Sequence, residues 1–226
     1  YQIVWQPQSR ENNSESLQTQ ALGSWLIFAD KGGIGLKLAK ILEERGNRCV
    51  LVFSGQTYKR LGAKHYQISP AEPLDFQRLL QDLKTHHTPY VEDNPLPYHG
   101  FVHLWSLDET PGENATIESL QTAQVLGCGS VLHLVQALAQ AGWSGVPRLW
   151  LGTKGTQPVK SAPTPLQVQQ APLWGLGRVI ALEHPNLQCV CLDLDPLGEV
   201  DNIQALFEEL SFPDPENQIA YRQGVR

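Results

Sequence analysis

Residues Trp25–Gly35 read WLIFADKGGIG, an apolar strand that runs straight into a glycine-rich turn and then into the helical pattern LKLAKILEERG, with Gly46 placed to end it. Few folds accept that order. An apolar run, glycines at Gly32, Gly33 and Gly35, and a 3.6-residue apolar repeat together form the opening unit of a nucleotide-binding type of α/β domain. In working examples the small residues let the backbone approach a pyrophosphate, and the helix N-terminus supplies amide donors and partial positive charge.

Strand and helix patterns alternate from there to the end. A strand is expected at Cys49–Phe53, a short one near Lys64–Ile68, and a helix at Glu72–Lys84 with Leu74, Leu79, Leu80 and Leu83 on its core face. A Pro-rich connector, His86–Pro97, leads to strand Gly100–Leu104. A long helix, Ala115–Ala141, follows with Ile117, Leu120, Cys128, Val131, Val135 and Leu138 close to one repeat and Gly142 as its stop. Then come strand Arg148–Leu151, a loop from Gly152 to Gln170, helix Leu173–Glu183, strand Leu187–Leu194, a helix near Asn202–Leu210 and a last strand at Gln218–Tyr221. This alternation predicts an α/β fold: a truncated Rossmann-like, doubly wound parallel sheet of about seven strands, order 3-2-1-4-5-6-7, with helices on both faces. The chain divides into Tyr1–Gln20, a strand (Tyr1–Trp5) with a polar linker, and the domain Ala21–Arg226. A strand ahead of such a linker needs a partner to pair with.

Composition removes several function classes. Charged residues are 18% of the 226, with a formal net charge of -6, so no basic field exists to attract nucleic acid or anionic lipid. The four cysteines, Cys49, Cys128, Cys189 and Cys191, lie within apolar runs with no Cys-x-x-Cys spacing, which reads as buried reduced thiols in a cytoplasmic protein. No apolar run approaches the ~20 residues of a membrane span. The chain holds no methionine and begins at Tyr1, which reads as an internal segment of something larger.

The segment QAPLWGLGRVIALEHP (Gln170–Pro185), the run CVCLDLD (Cys189–Asp195), the closing ENQIAYRQGVR and the opening YQIVWQP resemble the ketoreductase region of modular polyketide synthases. The resemblance spans nearly the whole chain and is most specific after Gln170. It implies a short-chain dehydrogenase-like fold in two halves, a structural half followed by a catalytic half that binds NADPH, and it places this chain in the first, non-catalytic half.

Site by site, the residues fit that placement. The dehydrogenase turn has the form Gly-x-x-x-Gly-x-Gly, and here Ala29, Gly33 and Gly35 stand at its three glycines, with Asp30 where phosphates would approach. Two like charges roughly 4 Å apart repel by ~1 kcal/mol in water and several times more near a protein surface, so Asp30 disfavours a pyrophosphate; Lys31 offsets part of this. The second strand ends in Ser54, Gly55 and Gln56, with no acid for ribose hydroxyls and no arginine for a 2'-phosphate, and Arg60 is read as a surface charge. The resemblance also demands a Tyr-x-x-x-Lys pair on the helix after strand five. Four residues beyond Tyr1, Tyr58, Tyr66, Tyr90, Tyr98 and Tyr221 stand Trp5, Gly62, Pro70, Asn94, Val102 and Val225, and the helix itself offers Trp174, Gly175, Gly177 and Arg178.

Other constellations are weaker. In FVHLWSLDE, Trp105 would fill the space where a dehydrogenase frames its nicotinamide. His99 and His103 carry a four-residue spacing without a third ligand, and Asp193 and Asp195 alternate at a strand end where open α/β sheets often place functional acids. A methyltransferase loop fails at Ile34, Leu36 and Ser54. The expectation is therefore a structural subdomain with no catalytic residue, no metal and no cofactor of its own, NADPH belonging to the adjoining catalytic half. Ile3, Trp5 and Trp174 are the predicted interface with that half and with neighbouring synthase domains of the same chain. Alternatives from other classes are a degenerate NADPH-binding reductase and a docking module for a carrier protein or neighbouring domain.

Overall fold

The computed structural model describes residues 3–9, 23–86, 90–91, 94–95, 98–108, 116–142, 147–159, 166–212 and 214–226. The opening unit is strand β1 (Ser24–Ala29), the glycine turn and helix α1 (Ile34–Glu44). It is followed by β2 (Arg48–Ser54), the two-residue β3 (Lys59–Arg60), β4 (His65–Ile68) and α2 (Pro73–His86). A small hairpin of β5 (Tyr90–Val91) and β6 (Asn94–Pro95) precedes β7 (Tyr98–His103). Helices α3 (Ile117–Gln124) and α4 (Ser130–Ala141) are joined without a break by a π-turn at Val125–Gly129. Then come β8 (Arg148–Lys154), α5 (Ala171–Glu183), β9 (Val190–Leu194), α6 (Glu199–Ser211) and β10 (Gln218–Ala220).

The main sheet has the order β10-β9-β8-β7-β1-β2-β4-β3, parallel throughout except for β3, which turns back antiparallel on β4. Apart from that extra edge strand, this is the expected order. Period-2 alternation builds both faces from the same strands. Leu26 and Phe28 of β1 pack with Val50, Val52, Phe101, Leu149 and Leu151 beneath α2, α4 and α5. Trp25, Ile27 and Ala29 face the other way, with Leu51, Val102, Trp150 and Leu192, beneath α1 and α6. Gly35 opens α1, and a Cβ there would come within 3.0 Å of Ala29 Cα, so glycine is what lets the helix start close on the strand.

Two expected core stripes are partly wrong. Leu79, Leu80 and Leu83 are buried, but Leu74 is 65% exposed in the first turn of α2 and Phe76 takes the inward position. On the long helix Val131, Val135 and Leu138 are buried while Ile117 (72%) and Leu120 (40%) are exposed. The π-turn explains the second error: its wider i→i+5 turn adds a residue, so the inward face of α3 is out of phase with that of α4. By length and composition Ile117–Ala141 could cross a bilayer, yet α4 seats its apolar face on the sheet as a core helix.

The N-terminal segment is expected to pair outside this chain, and its described residues join no strand of this sheet. Ile3–Trp5 runs without ladder partners among the described residues, with Ile3 62% exposed and Trp5 half-buried. The Trp5 ring meets Trp174 edge-on with centroids 5.8 Å apart, and Gln8 N donates to Arg226 O at 3.0 Å. Tyr1, Gln2 and residues 10–22 of the linker lie outside the described residues, as do most of the His86–Pro97 connector and residues 160–165 of the loop before α5.

Candidate functional site

The order of the sheet reverses between β1 and β7, and in open α/β sheets ligands bind at the strand ends beside such a switch point. The turn Asp30–Gly35 and the 3-10 turn Trp105–Asp108 after β7 both lie there. Gly33 takes φ +87°, the left-handed conformation that suits glycine, and shapes the entry to α1. The amides that this geometry presents are already engaged. Gly35 N donates to Asp30 Oδ1 at 2.7 Å and Ile34 N to Asp30 Oδ2 at 3.2 Å, and Asp30 is 2% exposed. Lys31 N donates to Asp108 Oδ1 at 2.6 Å. Burial raises the Asp108 pKa, the Lys31 amide opposes the rise, and the neighbouring Asp30 charge adds to it.

The ribose end is also altered. Gly55 N donates to Ile68 O at 2.8 Å, and a Cβ on Gly55 would strike the Gln67 side chain, which lies across the position where a discriminating residue would stand. Arg60 sits instead on the β3–β4 hairpin, its guanidinium 6.0 Å from the Tyr66 ring centre. Trp105 is fully buried; its indole N–H donates to Val52 O at 3.3 Å and its ring meets Phe28 edge-on at 5.1 Å. It is a core aromatic, packed between Phe28 and the backbone of β2.

At the ends of β8 and β9 the carboxylates are structural. Asp193 accepts from Thr153 Oγ1 at 2.7 Å and from the amides of Thr156 and Gln157 at 2.9 Å, and pairs with Arg222 at 2.5 Å. Trp174 Nε1 donates to Thr153 Oγ1 at 2.9 Å, so the tryptophan, 2% exposed, belongs to this chain's own interior. Asp195 accepts from the amides of Leu197 and Gln223. Below them, fully buried Glu209 accepts from Tyr221 Oη at 2.6 Å and pairs with Arg226 at 2.7 Å. Sequence reasoning missed both arginines. The available signal was Glu209 on the apolar stripe of Leu206 and Leu210, since a charge at a core position needs a partner.

The remaining candidates are engaged by aromatic neighbours, carbonyls or burial. His99 lies against Trp25, whereas His103 stacks on Phe28, and no group of three metal-ligating side chains occurs among the described residues. Ser130 Oγ is 2.5 Å from Leu126 O and 2.9 Å from His103 Nε2. With its single proton committed to the carbonyl, the hydroxyl accepts from Nε2–H, the reverse of what a serine nucleophile requires. Burial pushes His103 down to about 3. Burial likewise pushes the Cys49 thiol up to about 12, and Cys189 is raised by its hydrogen bond to Cys191 and by burial, so neither supplies a thiolate.

The family model described as beta-ketoacyl synthase-like, N-terminal, matches residues 23–209. The chain belongs to this family. Among curated relatives, the pikromycin polyketide synthase component PikAIII of Streptomyces venezuelae is 41% identical over 88 residues, 39% of this chain and 6% of the relative. The polyketide synthase GfsA of Streptomyces halstedii is 37% identical over 99 residues, 42% of this chain and 1% of the relative. The chain thus spans a small fraction of the curated relatives it matches. A solved adenylation, ketoreductase and pseudo Asub multidomain structure of a keto acid-selecting NRPS module superposes with a TM-score of 0.82 at 25% identity, over 99% of this chain and 18% of that one. A C2-type ketoreductase from a modular polyketide synthase shares the fold, with a TM-score of 0.66 at 23% identity over 92% of this chain and 40% of that one. The resemblance read from Gln170–Pro185 and its neighbours is borne out, and the fold is that of short-chain dehydrogenases and ketoreductases.

Proposed function

We propose that this chain is the non-catalytic structural subdomain of a polyketide synthase ketoreductase, packing on and stabilising a catalytic, NADPH-dependent half. The observation that carries this reading is α5, the helix on which the resemblance would place a Tyr-x-x-x-Lys pair. Its inward residues are Leu173, Trp174, Gly177 and Ile180, all buried, and Trp174 is bonded to Thr153 above Asp193. A carbonyl substrate would find neither space nor a proton donor there.

The nucleotide turn supports the same reading. NADPH does not fit the residues present: Asp30 and Asp108 hold the amides a pyrophosphate would need, and Gln67 covers the ribose position. The cofactor belongs to the adjoining catalytic half. Ile117 at the start of α3, Val125 in the π-turn after it, Val168 before α5, Val179 and Leu182 on α5, and Ile3 and Val4 of the N-terminal segment stand exposed, apolar side chains suited to burial against that half. Trp174 lies beneath Trp5, so Trp5 and Ile3 are the members of the expected interface set that can reach a partner. The chain and its catalytic half are expected to melt together at a higher temperature than either alone. Equal melting temperatures, together or apart, would sink the proposal.

A further inference from the structure

The turn after β1 keeps the backbone of a phosphate site but not its vacancy. We propose that it is an anion site which the chain fills with its own carboxylates, Asp30 and Asp108 standing in for the phosphates of a dinucleotide. The inference rests on the reading that this subdomain holds no NADPH, and it adds a reason: the ligand has been replaced from within.

Three observations converge. Oδ1 and Oδ2 of Asp30 accept from the first two amides of α1, Gly35 N at 2.7 Å and Ile34 N at 3.2 Å, much as two oxygens of a phosphate would. The Asp108 carboxylate, brought in by the 3-10 turn after β7, accepts the Lys31 amide at 2.6 Å from the far side of the switch point. Gly32 accommodates the arrangement, because a Cβ there would lie 2.9 Å from Asp30 Oδ2. Gly32 thus leaves room for the internal carboxylate.

An attached carboxylate has an advantage that a free anion must overcome. It acts at an effective concentration of roughly millimolar or more, and an incoming phosphate must expel it while meeting the repulsion of the Asp108 charge beside it. The partial positive charge at the start of α1 is then satisfied without a ligand, so folding needs no cofactor. Neither acid is catalytic; each positions the turn.

The test uses the 226-residue chain and inorganic phosphate or ADP as the probe, with sodium chloride at matched ionic strength as the control. Wild-type melting is expected not to move with either probe. The variant Asp30→Ala with Asp108→Asn is expected to melt lower by about 2–8 °C and to recover part of that loss as phosphate rises to tens of millimolar. Asp30→Asn, which keeps the shape and one acceptor oxygen, guards against a misfolded double variant and should show a smaller loss with the same recovery. Destabilised variants that phosphate does not restore would make Asp30 a helix cap only and overturn the proposal. So would unchanged melting in the variants, or a phosphate response in the wild type as large as theirs. Whether the chain stabilises a catalytic half is read in the joint melting experiment, so the two ideas fail separately.

Discussion

Asp30 and Asp193 are both buried carboxylates at the C-terminal end of a parallel strand, yet they are satisfied differently. Asp30 relies on helix amides, with Gly33 shaping the approach. Asp193 relies on a hydroxyl, two loop amides and the guanidinium of Arg222, whose side chain is 12% exposed. The first engages the start of α1 from within its own turn; the second ties the far edge of the sheet to the segment after β10, its partners 29 positions apart. Asp30 is therefore satisfied within the short turn after β1, whereas the Asp193 cluster exists only once β8, β9 and the segment after β10 have assembled.

Removing one partner from each should separate the two. Arg222→Ala leaves Asp193 buried without its cation and is expected to cost about 3–5 kcal/mol in urea unfolding, the largest single effect. A loss below about 1 kcal/mol would mean that the amides and Thr153 alone satisfy Asp193, which erases the distinction. Asp30→Ala gives up two charge-assisted bonds to α1 and is expected to cost about 1–2 kcal/mol.

A third buried ionisable group supplies the pH control and falls between these. His103 has a folded pKa of about 3 against an ordinary value of 6.5. Its neutral form therefore contributes stability that is complete above the unfolded value and is lost as pH falls from 6.5 toward 3. From neutral pH to about pH 4.5 the loss amounts to roughly 2–3 kcal/mol. His103→Gln, which can still donate to Ser130, should flatten that part of the profile; a curve unchanged by it would assign acid sensitivity to the carboxylates. The smallest effect belongs to Trp5→Ala, about 1 kcal/mol for the edge-on contact with Trp174. No loss in this chain with a large loss in the joined halves would assign Trp5 to the interface alone, without a part in the fold of this chain.

Legibility in the sequence follows the same division between local and long-range. The strand order and both sheet faces are readable because β1, β2, β7, β8 and β9 are buried on two sides and carry near-continuous apolar runs. The degeneracy at Ala29 and Asp30 is readable as well, although charge alone shows Asp30 as an obstacle to phosphate and not as a ligand for Ile34 and Gly35. What cannot be read depends on tertiary contact. The phase of the long helix shifts at a π-turn anchored by Ser130, which meets His103 from β7. Asp108 is invisible as a partner of Lys31 because 77 residues separate them. Trp174 is expected on an outward face, but a hydrogen bond to Thr153 draws it inward.

Calorimetric titration of the 226-residue chain with NADPH tests the central claim most directly. The account predicts no saturable heat up to millimolar cofactor, since the amides of the turn are held by Asp30 and Asp108. Saturable binding at micromolar NADPH would contradict it and show a turn still open to the cofactor.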